Sequence, residues 1–542
     1  MLSKREQSEL RGRIFRHLDG IAVAPVAYAL HQSKMADRIL QVGEIGLDAL
    51  CSEFGAYDGY LNVGLRALAA QGWLDYRVDN KSGEVTVATT ENTESAFALF
   101  PHLREVVLLH REVENFNGIL QNSVGREKFF QLLAAREEDF GLPPAEGKLG
   151  ESVREQILYH IEGNLVGPLV VKLAMGGMFH KYFMEASFRA EEYHEDHLVF
   201  EKILDFLFLL GWFKKKNGTY QFTDAGLFFA KRASAYGVTV SYLPTFRKAH
   251  ELLFGDPTAL VSRPGQPEKH VDREMNVWGS GGAHSAYFKK VDEIIVDLFN
   301  RPVNEQPKGV LDMGCGNGAF LIHIFDVIEY RTYRGKILDQ HPLILVGADY
   351  NESALKVTRS NLIGADIWAK VVWGDIGRPD LLAQNLKEDY GVDMSELLNT
   401  RTFLDHNRIW EKPENPVQRE SSSTGAFAYR GKRLNNNLVE ENLLQHFKKW
   451  APYIQRFGLL VIELHTIDPK LAARNIGKTT ATAYDTTHGL SDQFIVELDV
   501  FLRVAEEAGL YPDERLHAKF PNSDLATISV NLLKGNSSGD LV

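Results

Sequence analysis

At 542 residues the chain is too long for one ordinary hydrophobic core, so two or three domains are expected. A composition of 44% hydrophobic, 24% charged and 11% aromatic residues is that of a globular protein with ample core material, and the two lone cysteines, Cys51 and Cys315, exclude a disulfide framework or a Cys-x-x-Cys zinc site. The formal net charge of -12 excludes tight non-specific nucleic-acid binding as the main activity, which needs Lys and Arg in excess to neutralise phosphates.

The N-terminal stretch Met1-Leu-Ser-Lys-Arg-Glu-Gln-Ser-Glu9 is polar and has no apolar signal-peptide core. The longest apolar run, 203–213, contains Asp205, is too short to span a bilayer, and reads as a buried helix ending at Gly211. A cytoplasmic protein with no membrane partner is the expectation.

The first half reads as helical with short hairpins, and it contains an internal echo. Residues 60–74 and 200–213 each form an amphipathic helix stopped by Gly-Trp, where glycine supplies the left-handed cap. A polar turn and an alternating strand follow each: Asn80-Lys-Ser-Gly83 before 84–88, and Asn217-Gly218 before 219–223. Helix, glycine stop, turn and strand is the winged-helix pattern. It serves as a packing or dimerising module or as a DNA reader, and the acidic charge favours the former. Between the copies, the apolar Gly/Met-rich stretch 165–179 suits a core helix or a cavity wall. Residues 1–265 are therefore expected to form a large, mainly helical lid domain containing winged-helix units.

After a polar linker near 266–273 the pattern changes to alternating strands and helices, the sign of a doubly wound α/β sheet over 271–542. Strands are expected at 309–313, 343–349, 370–373, 396–403, 459–465, 514–520 and 526–533, with helices at 439–456 and 492–508 among the connections. The first strand runs into Asp312-Met-Gly-Cys-Gly-Asn-Gly318. Gly314, Gly316 and Gly318 permit a tight turn that brings backbone close to a ligand, and the following helix N-terminus favours a carboxylate or phosphate. Such a turn alone also fits dinucleotide enzymes. Asp349 ends the second strand, where ribose hydroxyls bind, with Tyr350 beside it. Asp375 follows the third, suited to an adenine amino group, with Ile376 beside it. Three acidic strand ends at this spacing resemble an S-adenosylmethionine site more than an NAD site. The last two strands are separated by only a short turn and form an antiparallel hairpin, which completes the strand order of a class I, Rossmann-like methyltransferase core.

The fourth strand leads to Arg401-Thr-Phe-Leu-Asp-His-Asn-Arg408, where a reacting methyl would lie; Leu404 suits a cofactor contact, and Asp405 and His406 suit positioning of substrate or cofactor or, equally well, a solvated loop. A Pro-, Ser-, Asn- and Arg-rich insertion at about 407–437 follows, read equally well as a lid or as a disordered loop. On the same sheet edge fall Glu463-Leu-His465 and Tyr484-Asp-Thr-Thr-His-Gly-Leu-Ser-Asp-Gln493. If His465, His488 and Gln493 converge, they suit a mononuclear metal; otherwise one histidine is a general base and the other holds a loop.

These segments, together with Gly279-Ser-Gly-Gly-Ala-His-Ser-Ala-Tyr287, resemble the methyltransferase domains of polyketide synthase loading modules, as in the apratoxin pathway. The resemblance covers most of the chain. It implies C-methylation at the α-carbon of a malonyl- or methylmalonyl-type group held by phosphopantetheine on an acyl carrier protein. It also implies closure of His284 and Tyr287 over the cofactor and, as in some members, one iron or manganese ion on His465 and Gln493. Two other readings stay open: a small-molecule O-methyltransferase with a winged-helix dimerisation domain, and a winged-helix regulator that senses S-adenosylmethionine.

Overall fold

The computed structural model describes residues 2–113, 125–182, 186–262, 266, 268–281, 284–414, 416 and 419–535, the side chains of 284–286 excepted. The chain divides into two compact units. The first comprises Met1–His284, Ala426–Leu434 and Asp468–Asp492; the second comprises Ser285–Gly425, Asn435–Ile467 and Gln493–Val542. No helix among the described residues is long and apolar enough to cross a membrane.

The first unit is built on two 29-residue helices, Lys4–Gln32 and Gly147–Met175, packed along each other. The stretch 165–179 supplies the buried C-terminal half of the second of these. Both winged-helix echoes are present. Helix His197–Leu209 stops at Gly211, whose φ is +81°, and the hairpin Phe213–Lys216 with Thr219–Phe222 follows. In the other copy the helix Asp58–Ala70 ends before Trp73, and Leu74 opens a strand, Leu74–Val78, paired with Val85–Thr89. Gly72, at φ +77°, makes the expected glycine stop before Trp73.

The boundary expected at 265/271 also differs from the compact units. Helix Arg273–Gly281 packs on Ser234–Ser241 through a glycine-to-glycine contact: a Cβ on Gly279 would lie 2.6 Å from the Gly237 carbonyl carbon. This draws the residues up to 284 into the first unit. Two later segments return to it as well. In the described residues of the expected insertion at 407–437, the chain leaves the turn Asp405–Asn407 and ends in a hairpin, Phe427–Tyr429 with Lys432–Leu434. That hairpin docks on helix Asp58–Ala70, with Gly59 N–H on Gly431 O at 2.9 Å and Arg433 N–H on Asp58 Oδ1 at 3.1 Å.

The second unit is one sheet flanked by helices. Its strands are β1 (Gly309–Met313), β2 (Ile344–Asp349), β3 (Lys370–Trp373), β4 (Leu397–Thr402), β5 (Leu459–Leu464), β6 (Leu510–Pro512), β7 (Ala518–Phe520) and β8 (Ile528–Gly535). Their order is β6-β8-β5-β4-β1-β2-β3, with β7 also on β8. β1 to β5 run parallel, and β8 runs antiparallel to β5, β6 and β7. This is the expected α/β core with its reversed closing hairpin. The near-continuous apolar runs of β1 and β5 follow from burial on both faces. The strand expected at 514–520 shortens to β7, and a separate three-residue strand, β6, precedes it; the two pair with opposite ends of β8. Order reversal between β1 and β4 opens a crevice at the C-terminal strand ends, where ligands bind in such sheets.

Candidate active site

The turn after β1 is a backbone cradle. Gly314, Gly316 and Gly318 adopt φ of +81°, +54° and +80°, a region that costs a residue with a side chain about 1–2 kcal/mol. The N–H groups of Gly314 and Cys315 both donate to Ala348 O of β2, at 2.8 and 3.0 Å. Thr358 Oγ1, from helix Glu352–Gly364, donates to Gly316 O at 2.8 Å. The loop is thus locked to the next strand and helix before any ligand arrives. A Cβ on Gly314 would come within 2.9 Å of Leu404 Cδ2, so Leu404 roofs the cradle from the turn after β4.

The three expected acids stand on this edge. Asp312 is buried and accepts from Thr400 Oγ1 at 3.0 Å; burial and the nearby Asp349 push its carboxyl up to about 7, against the pull of Thr400. Asp349 accepts from Gly316 N–H at 3.0 Å and Asn351 N–H at 2.8 Å, which fixes its carboxylate at the β2 end. Asp375 is oriented by Gly377 N–H at 2.8 Å, and Trp450 Nε1 holds Ile376 O at 2.8 Å. Tyr350 and Trp373 form an exposed aromatic pair at the ends of β2 and β3, with ring centroids 5.6 Å apart and Trp373 Nε1–H on Tyr350 O. Trp373 escaped the sequence reading, although an aromatic immediately before the Gly374-Asp375 turn marks it. Burial pushes the Cys315 thiol up to about 12, so it is inert.

The turn after β4 sets a histidine against a buried carboxylate. Phe403 takes a left-handed φ of +54° and donates its N–H to Ile462 O at 2.8 Å. A single turn, Asp405–Asn407, follows. His406 Nδ1 meets Glu463 Oε1 at 2.6 Å, and the Glu463 carboxylate also accepts from Asp405 N–H at 2.7 Å, His406 N–H at 3.3 Å and Leu464 N–H at 2.6 Å. With Nδ1 donating to a carboxylate, the neutral ring carries its lone pair at Nε2, the arrangement of a general base. Glu463 went unassigned in the sequence. Its signal is a single acid inside the otherwise apolar β5, buried at 1% exposure.

The other expected residues distribute differently. His465 is 1% exposed and engaged on both ring nitrogens: Nδ1 at 3.3 Å from Val496 O and Nε2 at 2.7 Å from Ser529 Oγ. Burial lowers its pKa to about 4, against a neighbouring Glu463. A neutral imidazole that donates to a carbonyl and accepts from a hydroxyl is a packing residue of the β5–β8 pair. The expectation of His465 as base or metal ligand therefore does not fit this geometry. Gln493 is buried in the same unit, and among the described residues no group of three or more His, Cys, Asp and Glu side chains could hold a metal. Both His465 ring nitrogens are thus engaged, and no metal site is seen among the described residues. His488 sits in the first unit, on helix Ala481–Gly489, with Nδ1 donating to Tyr484 O at 2.7 Å and its ring beside Tyr242. Tyr287 packs edge-on against Phe403 and Phe520, beside the Leu404 turn. The side chain of His284 lies outside the described residues.

Three family models match the chain. Residues 268–531 match the family model of the AprA MT2-like domain, 162–256 that of the AprA winged helix domain, and 10–76 that of the AprA N-terminal domain. The second unit is thus a methyltransferase domain and the protein an enzyme. No curated protein matches the chain. Among solved structures, the mitomycin 7-O-methyltransferase MmcR and an O-methyltransferase family protein from Burkholderia thailandensis each share 11% identity, at a TM-score of 0.39, over 72% of this chain and 100% of theirs. CalO1, a methyltransferase in calicheamicin biosynthesis, shares 13% at 0.36, over 72% of this chain and 100% of its own. Likenesses this distant carry no argument about substrate.

Proposed function

For a chain composed of AprA-type N-terminal, winged-helix and MT2-like methyltransferase domains, we propose S-adenosylmethionine-dependent C-methylation of the α-carbon of a malonyl- or methylmalonyl-type thioester on an acyl carrier protein. The observation that carries the reading is the His406–Glu463 pair standing against the glycine cradle, joined to it by Leu404.

The residues fit the cofactor. Gly314, Gly316 and Gly318 hold the turn in positive φ, where a Cβ on Gly314 would meet Leu404 at 2.9 Å and one on Gly318 would meet Thr358 at 3.1 Å, and Asp349, Asp375 and the Tyr350–Trp373 pair line the adjoining strand ends. When bound, S-adenosylmethionine supplies a methyl group on a sulfonium leaving group, so the departing side needs no acid. The chain's work is on the acceptor. His406 takes a proton from the α-carbon at Nε2, and Glu463 stabilises the resulting imidazolium through Nδ1. Leu404 and the tightly bonded turn hold the base at a fixed distance from the methyl position, which converts orientation into rate. No step is routed through a metal.

The test supplies the full chain with S-adenosylmethionine and either a malonyl-loaded carrier protein or phenolic acceptors. Methyl on the α-carbon of the thioester is the expected product. Methyl on oxygen would overturn the substrate reading and leave the same base serving a hydroxyl.

A further inference from the structure

Asp405 neighbours the proposed base and is tied at four points. Its Oδ1 is ion-paired with Arg401 Nη1 at 3.0 Å and lies 2.9 Å from His446 Nε2, which Arg401 Nη1 also meets at 3.0 Å. Its N–H donates to Glu463 Oε2 at 2.7 Å, and its carbonyl accepts from Arg408 Nη1 at 2.8 Å. The strand, the turn and a helix all contribute: Arg401 from β4, Arg408 from beyond the turn, His446 from helix Asn436–Ile454. Arg401 is fully buried, with its guanidinium 4.5 Å over the Trp450 ring, and Arg408 is also held by Asn442 Oδ1 at 2.6 Å.

Burying this many charges is unfavourable unless each is paired. Here Arg401 and Arg408 balance Asp405 and Glu463. Burial lowers the pKa of His446 to about 4, and that of His465 likewise, so both are neutral. The left-handed Phe403, two residues before Asp405, persists only where its surroundings fix it.

The geometry points to Asp405 as a positioning residue for methyl transfer: clamped by Arg401 and His446, it fixes the turn that presents His406 to Glu463 and supplies negative charge that lets the ring accept a proton. This inference rests on His406 being the base. Asp405→Asn keeps the shape and loses the charge. In the full chain it binds S-adenosylmethionine as the parent does, while kcat on the malonyl carrier falls roughly 10- to 100-fold. KM for the malonyl carrier stays within about 2-fold, so the loss is in turnover and not in binding. A purely structural role would lower the amount of active protein and leave kcat per active site in place, which would overturn the inference. Should Asp405→Asn fail to fold, His446→Ala tests the clamp: kcat falls with KM and S-adenosylmethionine affinity unchanged, and an unchanged kcat overturns it. His406→Ala separates the two levels. If that variant is active, the base reading fails and this inference with it; if it is inactive while Asp405→Asn behaves as the parent, only this inference fails.

Discussion

A base held by a carboxylate and a cofactor cradle held by its neighbours make separable demands on single residues. His406→Gln and Glu463→Gln are expected to lower kcat by about 10²- to 10⁴-fold while leaving S-adenosylmethionine affinity within roughly 2-fold, as read by calorimetry beside turnover. Gly314→Ala has the converse signature. Its φ of +81° and the Leu404 contact at 2.9 Å force the loop to shift, so cofactor affinity falls about 10-fold or more and thermal stability drops by about 1–2 kcal/mol. The cradle was legible in the sequence because its signal is local: an apolar strand, three glycines within five residues, and acids at successive strand ends. The base was only half legible. His406 stands in a recognisable turn, but Glu463 lies 57 positions away and His446, which secures Asp405, lies 41 away; only the sheet and the helix bring them together. His465 misled for the same reason, since its partner Ser529 lies across the antiparallel β5–β8 pair, 64 positions on.

At the scale of elements, two excursions from the methyltransferase half belong to the first unit. Segment Asp468–Asp492 is fastened there by polar bonds: Arg66 pairs with Asp485, Tyr60 O–H donates to Asp492 Oδ1 at 2.9 Å, and Lys470 meets Asp75 at 2.8 Å. Arg66 and Asp485 are both largely buried, so Arg66→Ala leaves a carboxylate poorly compensated and should destabilise this attachment by about 3 kcal/mol. Faster amide hydrogen exchange in helix Ala481–Gly489, with protection of β1 to β5 retained, is the expected readout; uniform loss of protection would contradict the assignment of the segment to the first unit. None of this could be read in advance. Strands of three residues such as Phe427–Tyr429 carry no periodicity, and the Pro- and Ser-rich composition before them signals a loop whatever it docks against. The long strands β1, β2 and β5 and the glycine-stopped helices were legible because pattern and length agree.

For the whole molecule, the two units share a pH signature. Burial raises Asp19 in the first unit and Asp312 in the second to about 7, from an ordinary 3.8. Each folded carboxyl binds its proton more tightly than the unfolded one does. The stabilisation they give is therefore complete below the ordinary value and is lost as pH rises to about 7. In the same window the buried His110, His160, His446 and His465, lowered to about 3 to 4, act the opposite way, so the carboxyls show in the difference between variants: relative to the parent, the urea midpoint of cofactor-free Asp19→Asn/Asp312→Asn should rise between pH 5 and pH 8. Glu162 acts in the opposite direction and in a lower window: burial would raise it, but His17 and Arg13 outweigh that and hold it at about 2, so its contribution disappears only as pH falls through that value. Ligand linkage adds a further check, because S-adenosylmethionine bound at the cradle should raise the midpoint in proportion to its free concentration over Kd.

The central claim concerns where a methyl group goes. Full-length protein given S-adenosylmethionine with a 13C-labelled methyl and a malonyl-loaded carrier protein should yield a thioester whose labelled methyl is bonded to the α-carbon by NMR, with no such product from His406→Ala. Label on an oxygen, or equal α-carbon labelling by His406→Ala, would contradict it.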